Sequence, residues 1–146
     1  MIIVPNFIIQ GGDITNHDGT GGECIYGPTL PYESPSVVLK HDRPYYLTMA
    51  SKSNIPESQS SQFYINTVKT TWLDSSTIQT HLGQDVIIGI VVEGMNVIKN
   101  IERQGTNSGI PKRRVVIVDS GELVEPDHLL ESFRRVEKAP GFVVEE

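Results

Sequence analysis

Apolar and polar positions alternate with a period of two in several short runs and follow a helical period in only one stretch before residue 123. Met1-Ile2-Ile3-Val4 and Phe7-Ile8-Ile9 are apolar runs divided by Pro5-Asn6, which predicts one or two short strands broken there, because proline cannot donate to a ladder. The second run reads as a strand buried on both sides that delivers Gln10 to its end. In Tyr45 to Ala50, Leu47 and Met49 fall on one side and Thr48 and Ala50 on the other. In Gln62 to Thr67, Phe63 and Ile65 likewise oppose Gln62 and Tyr64, so the last two share a face. Val86 to Val92 is β-branched and predicts a buried strand. After Gly94 the period changes: Met95, Ile98 and Ile101, with Val97 beside them, form one helical face, and Gly105 stops the helix. Arg114 to Asp119 reads as the last strand, and no helix is expected before Gly94.

Between the second strand and Gly27 the chain carries a different pattern, Gln10-Gly11-Gly12-Asp13-Ile14-Thr15-Asn16-His17-Asp18-Gly19-Thr20-Gly21-Gly22. Glycines interleaved with Asp, Thr and Asn describe a loop that turns repeatedly and lets backbone approach backbone. Its simplest role is a shaped wall. Pro28, Pro31 and Pro35 then keep the chain extended as far as Ser36. A small antiparallel β-barrel capped by one helix suits this order of elements.

The run from Phe7 to Gly27 resembles the cyclophilins, the peptidyl-prolyl cis-trans isomerases. Leu47-Thr48-Met49-Ala50, Ser61-Gln62-Phe63-Tyr64-Ile65, Lys69-Thr70-Thr71-Trp72-Leu73-Asp74 and Val92-Glu93-Gly94-Met95 follow in that family's order, and the resemblance covers Met1 to Leu123. It implies an eight-stranded antiparallel barrel with a helix over each end. The two strands and first helix of that fold should precede Met1, so the resemblance also implies a domain shortened at its N-terminus and an incomplete barrel. Residues 124–146 lie outside the resemblance; there Leu129, Leu130, Phe133 and Val136 make an amphipathic helix over 127–138, started at Pro126-Asp127 and ended at Pro140-Gly141. That helix is expected to pack on its own domain, with docking on a partner as the second reading.

Isomerising an X-Pro bond needs no nucleophile. Its barrier of about 18–20 kcal/mol falls when a site holds the twisted amide better than either planar form. An apolar seat for the ring and a strong hydrogen-bond donor suffice. By resemblance, Phe7 and Ile8 line the proline pocket, Gln10 and Gln62 stand for its two glutamines, and Tyr64 replaces a Phe. Ala50 and Ser51 match the Ala-Asn pair that bonds the substrate backbone, and Trp72 and Leu73 match the Trp-Leu pair, of which the Trp is also a cyclosporin contact. Tyr64 then needs a partner for its hydroxyl.

Two positions depart from the family. Where it carries an Arg that donates to the prolyl amide, this chain has Ile2; where it has a His before an apolar strand, this chain has Asp85. His81, in the longer loop of residues 75–84, could reach the pocket by another path, although a solvated loop histidine is the simpler reading. The sequence therefore predicts a proline-peptide-binding domain, by family an isomerase assisting protein folding, with weak or absent turnover. The alternative is a non-catalytic binding or architectural subunit of a larger complex, with a partner chain completing the barrel.

Composition narrows the rest. A formal net charge of −6 over 146 residues argues against a nucleic-acid or anionic-membrane partner, and the longest apolar run is too short to span a bilayer. Met1 to Val4 has no basic leader and is cut by Pro5, so it does not read as a secretory signal. The single Cys24 allows no internal disulfide, which favours an intracellular setting, cytoplasmic or nuclear, with organelles left open. No cofactor or metal is expected: Asp13, His17 and Asp18 in a Gly-rich turn are best spent on loop amides. His41 and His128 have no polar constellation in sequence and read as surface residues.

Overall fold

The computed structural model describes residues 1–30, 39–51, 59–74, 85–122 and 142–144. Five strands form one antiparallel sheet: β1 (Ile2–Val4), β2 (Ile8–Gly11), β3 (Tyr46–Met49), β4 (Phe63–Asn66) and β5 (Val86–Ile90), in the spatial order β1-β2-β4-β3-β5. Pro5-Asn6 separates the first two as predicted, with Asn6 at φ 56°. The one α-helix among the described residues, α1 (Met95–Glu102), follows β5. Its predicted apolar face is present in Ile98 and Ile101, both buried, whereas Val97 turns outward.

Register decides which side chains meet. Ile3 pairs with Ile9, Ile9 with Ile65, and Ile65 with Leu47, so one row of aliphatic side chains crosses four strands on one face. Ile98 and Ile101 of α1 and Val115 pack onto that row and complete the core. Removing this much aliphatic surface from water is the main favourable term for so small a sheet. The adjacent row, one residue along each strand, lies on the opposite face: Ile2, Gln10, Tyr64 and Thr48. Strand periodicity of two leaves no other arrangement.

Several expectations are corrected. The Val86 to Val92 run is an edge strand and not a buried one: Ile88 is 55% exposed, and among the described residues no strand pairs with the far side of β5. The sheet is open there, which agrees with a mainly β, incompletely closed barrel. At the other edge, Ile3 N–H donates to Gly109 O at 2.8 Å and Thr106 N–H to Ile3 O at 3.2 Å, so a loop covers β1. Arg114 to Asp119 is not the last strand. It contributes β6 (Val115–Ile117), which pairs antiparallel with β7 (Phe142–Val144), inside the segment assigned to the tail. A short 3-10 turn, Thr71–Asp74, precedes Gly94 where no helix was expected. The helix predicted over 127–138, His81, His128, Pro31 and Pro35 lie outside the described residues.

Gly105 does more than end α1. Its backbone passes so close to β1 that a Cβ there would lie 2.7 Å from Ile3 Cγ2 and 2.8 Å from Ile3 O, so no larger side chain fits without moving the strand. The end of α1 is further tied to the β1–β2 turn by Asn6 N–H donating to Glu102 Oε1 at 2.8 Å. Since Ile101 seals this junction and is almost fully buried, Ile101→Ala is expected to cost about 2–5 kcal/mol. Urea unfolding followed by circular dichroism would measure it.

Candidate functional site

The face opposite the core carries Gln10, Gln62 and Tyr64 of the predicted site; it is open at its rim, where Gln10 is half-buried, and closed at its centre, where Tyr64 and Thr48 are buried. Gln10 on β2 and Gln62 just before β4 lie diagonally across the pair, and Gln10 Nε2 donates to Gln62 Oε1 at 2.8 Å. Gln62 is buried and spends its own amide hydrogens on the Gly-rich loop, donating to Gly19 O at 3.0 Å and Gly21 O at 2.6 Å. That leaves Gln10, with its Oε1 and second N–H, as the glutamine able to meet a ligand.

The loop is built around Asp13. Its Oδ1 accepts from Thr15 N–H and Asn16 N–H, at 3.2 and 2.9 Å, and its Oδ2 from Asp18, Gly19 and Gly21 N–H, at 3.2, 2.8 and 3.1 Å. Gly12, at φ 88°, brings the loop against Ser61, whose carbonyl oxygen a Cβ would strike, and Ser61 Oγ donates to Gly12 O at 2.6 Å. Asp13 thus uses its oxygens on amides, the role expected of it. Among the described residues no three His, Cys, Asp or Glu side chains converge as metal ligands would.

Below the glutamines lies a network that strand alternation did not reveal. His41, read as a surface residue, is 2% exposed. Its backbone N–H and Nδ1 both engage Asp74, at 2.9 and 2.7 Å, and its Nε2 faces Thr48 Oγ1 at 3.0 Å and Tyr64 O–H at 3.2 Å. An ionised Asp74 only accepts, so Nδ1 carries the proton toward it. The imidazole and Tyr64 rings stack at 6.0 Å. Because Asp74 ends the 3-10 turn, the pair fixes the segment that presents Trp72 and Leu73. Trp72, 54% exposed, stacks on Phe7 at 6.1 Å, while Phe7, Ile8, Ala50 and Leu73 are half-buried.

Tyr64 has the partner its hydroxyl required: it donates to Asp85 Oδ2 at 3.0 Å. Burial first, and then the Asp85 charge, push the phenol far above its ordinary value, so it stays a donor. Asp85 Oδ1 in turn accepts from Ser51 N–H at 3.0 Å and Ser51 Oγ at 2.5 Å. The backbone donor at the position matching the family's Asn is therefore already taken by the carboxylate. Ile2 sits beside Gln10 in the row, with its side chain against Gly19 and Gly109. No cationic group occupies that position.

His41, Asp74 and Thr48 were not among the predicted site residues. One signal pointed that way: Thr48 and Tyr64 alternate onto the same buried face, and two hydroxyls there require partners. Nothing local marked His41 as the partner of Tyr64, which stands 23 positions away. The family model described as cyclophilin type peptidyl-prolyl cis-trans isomerase/CLD matches residues 2–122 of this chain.

Two outcomes follow from the geometry. His41→Ala leaves Asp74 without its imidazole partner and removes the contact under Tyr64, an expected loss of about 3–5 kcal/mol in urea unfolding. For Asp13, desolvation raises the pKa, but the amides of Asn16, Gly21 and Gly19 outweigh it and hold the carboxyl well below its ordinary range. A lowered folded-state value means stability that is fully present above the unfolded value of about 3.9 and is lost as pH falls through the folded value. Wild type should therefore lose more stability than Asp13→Asn on acidification below about pH 4, read from unfolding midpoints across a pH series.

Proposed function

The chain belongs to the cyclophilin-type peptidyl-prolyl cis-trans isomerase family, and we propose that its open face binds proline-containing segments with little or no turnover. The observation that carries this reading is Ile2. Stabilising a twisted prolyl amide calls for a donor at the edge of the glutamine row, and the residue there ends in an alkyl group packed against Gly19 and Gly109. Losing one preorganised donor typically costs about a hundred- to a thousandfold in rate. The second departure points the same way: Asp85 holds both hydrogen-bond donors of Ser51, so a peptide carbonyl would have to displace a carboxylate to reach the backbone amide.

On this reading Phe7, Ile8 and Leu73 seat the proline ring, Trp72 flanks it, Gln10 meets the peptide backbone, and Tyr64 closes the floor with its hydroxyl turned to Asp85. Ala50 and Ser51 form the opposite rim. Cyclosporin binding through Trp72 belongs to the same proposal. A second reading, a non-catalytic architectural subunit, is supported by β5: its far edge, unpaired among the described residues, and the exposed Ile88, Ile90 and Val92 suit a strand supplied by another chain.

A protease-coupled assay on a short X-Pro peptide tests the first reading. Wild type is expected to give a rate near background and Ile2→Arg a kcat/KM at least about tenfold higher, part of the loss assigned to the donor. A wild-type rate as high as that of Ile2→Arg would refute the role given to Ile2.

A further inference from the structure

The proposed groove contains one negative charge that its surroundings hold in place without neutralising. Asp85 accepts from Ser51 N–H, Ser51 Oγ and Tyr64 O–H. All three are neutral donors. A carboxylate offers about four lone-pair sites; two are used on Oδ1 and one on Oδ2, which leaves an acceptor site on Oδ2 next to the Tyr64 floor. Asp85 is half-buried, so part of the residue stays in reach of solvent.

Among the described residues no cation answers it. Among the described residues the ion pair is His41 with Asp74, which satisfies the other carboxylate of the site. Arg43 lies over the Tyr46 ring at 5.2 Å and donates Nε to Tyr46 O–H at 3.1 Å, and Ile2 brings no charge to the row. The chain's net charge of −6 adds a background of the same sign.

We propose that Asp85 makes the groove selective for proline segments carrying Lys or Arg beside the proline, and that it disfavours those carrying Asp or Glu. This inference rests on the reading of the open face as a proline-peptide groove and names the class of peptide it takes. An ammonium or guanidinium group would fill the remaining Oδ2 site as a charge-assisted hydrogen bond, stronger than one between neutral groups. An acidic neighbour would meet like charge across a short, partly dry gap.

The test uses the full chain and three labelled peptides of equal length in which the residues on both sides of one proline are Lys, Ala or Glu, with Kd measured by fluorescence polarisation. The Lys peptide is expected to bind about fivefold or more tighter than the Glu peptide at low salt, the range of partly exposed ion pairs. That ratio should shrink at high salt as screening grows, collapse in Asp85→Asn, and persist in Glu93→Gln, which removes an exposed charge elsewhere. A ratio that survives Asp85→Asn, or falls equally in Glu93→Gln, overturns the inference in favour of general attraction to the acidic surface. Should Asp85→Asn not fold, Asp85→Ser takes its place, with the same collapse of the ratio expected and its survival overturning the inference. Equal Kd values for all three peptides overturn the charge preference and leave the groove standing, whereas no binding by any of them overturns the groove and the preference together.

Discussion

Strand β4 is hydrogen-bonded on both sides, to β2 and to β3, and this double pairing constrains everything around it. Ile65 must face the core because Ile9 and Leu47 flank it in register; Tyr64 and Asn66 are then forced onto the other face. That face is also withdrawn from water at its centre: Thr48 and Asn66 are fully buried. Buried polar groups need partners, and the fold supplies them from distant loops. Asn66 accepts from Tyr46 N–H at 2.7 Å and donates to Arg43 O and Val68 O, each at 2.8 Å, which pins the chain entering β3 and the chain leaving β4.

The same requirement links stability to the site. His41 accepts from Thr48, stacks against the Tyr64 ring and holds Asp74 from the side, so the segment bearing Trp72 and Leu73 is held by the group that satisfies the strands. Asp13 does the equivalent for the glycine-rich loop, whose carbonyls then hold Gln62 in place for Gln10. Rigid positioning of a few polar groups is what recognition of an extended peptide requires. On the proposed reading, catalysis of isomerisation needs an additional donor, and Ile2 at the end of the row supplies none.

Asp85 couples the two departures from the family. An alkyl group at the row's edge removes positive charge, while a carboxylate at the start of β5 adds a negative one and occupies the donors of Ser51. Under the proposed reading, the two changes together favour selecting a ligand by charge over polarising an amide. Tyr64 belongs to this change as well, since a phenol fits the floor only where an acceptor such as Asp85 meets its hydroxyl.

Local pattern by itself determined the strands near Ile3, Ile9, Leu47 and Ile65, the break at Pro5-Asn6, the helix beginning at Met95, the loop role of Asp13, and the family, because period, turn chemistry and motif order are properties of neighbouring residues. It also placed Gln62 with Tyr64 on one face. Only the tertiary structure decided that His41 is buried, that Asp74 and Asp85 bracket the Tyr64 network, that β5 is an exposed edge, and that Phe142–Val144 pairs with β6. Each of these depends on contacts between residues more than twenty positions apart: His41 and Asp74 are 33 apart in sequence, and Ser51 and Asp85 are 34. A histidine beside an aspartate-bearing turn carries no local mark of burial; the sheet that folds over it supplies the low-dielectric surroundings in which its hydrogen bonds become obligatory.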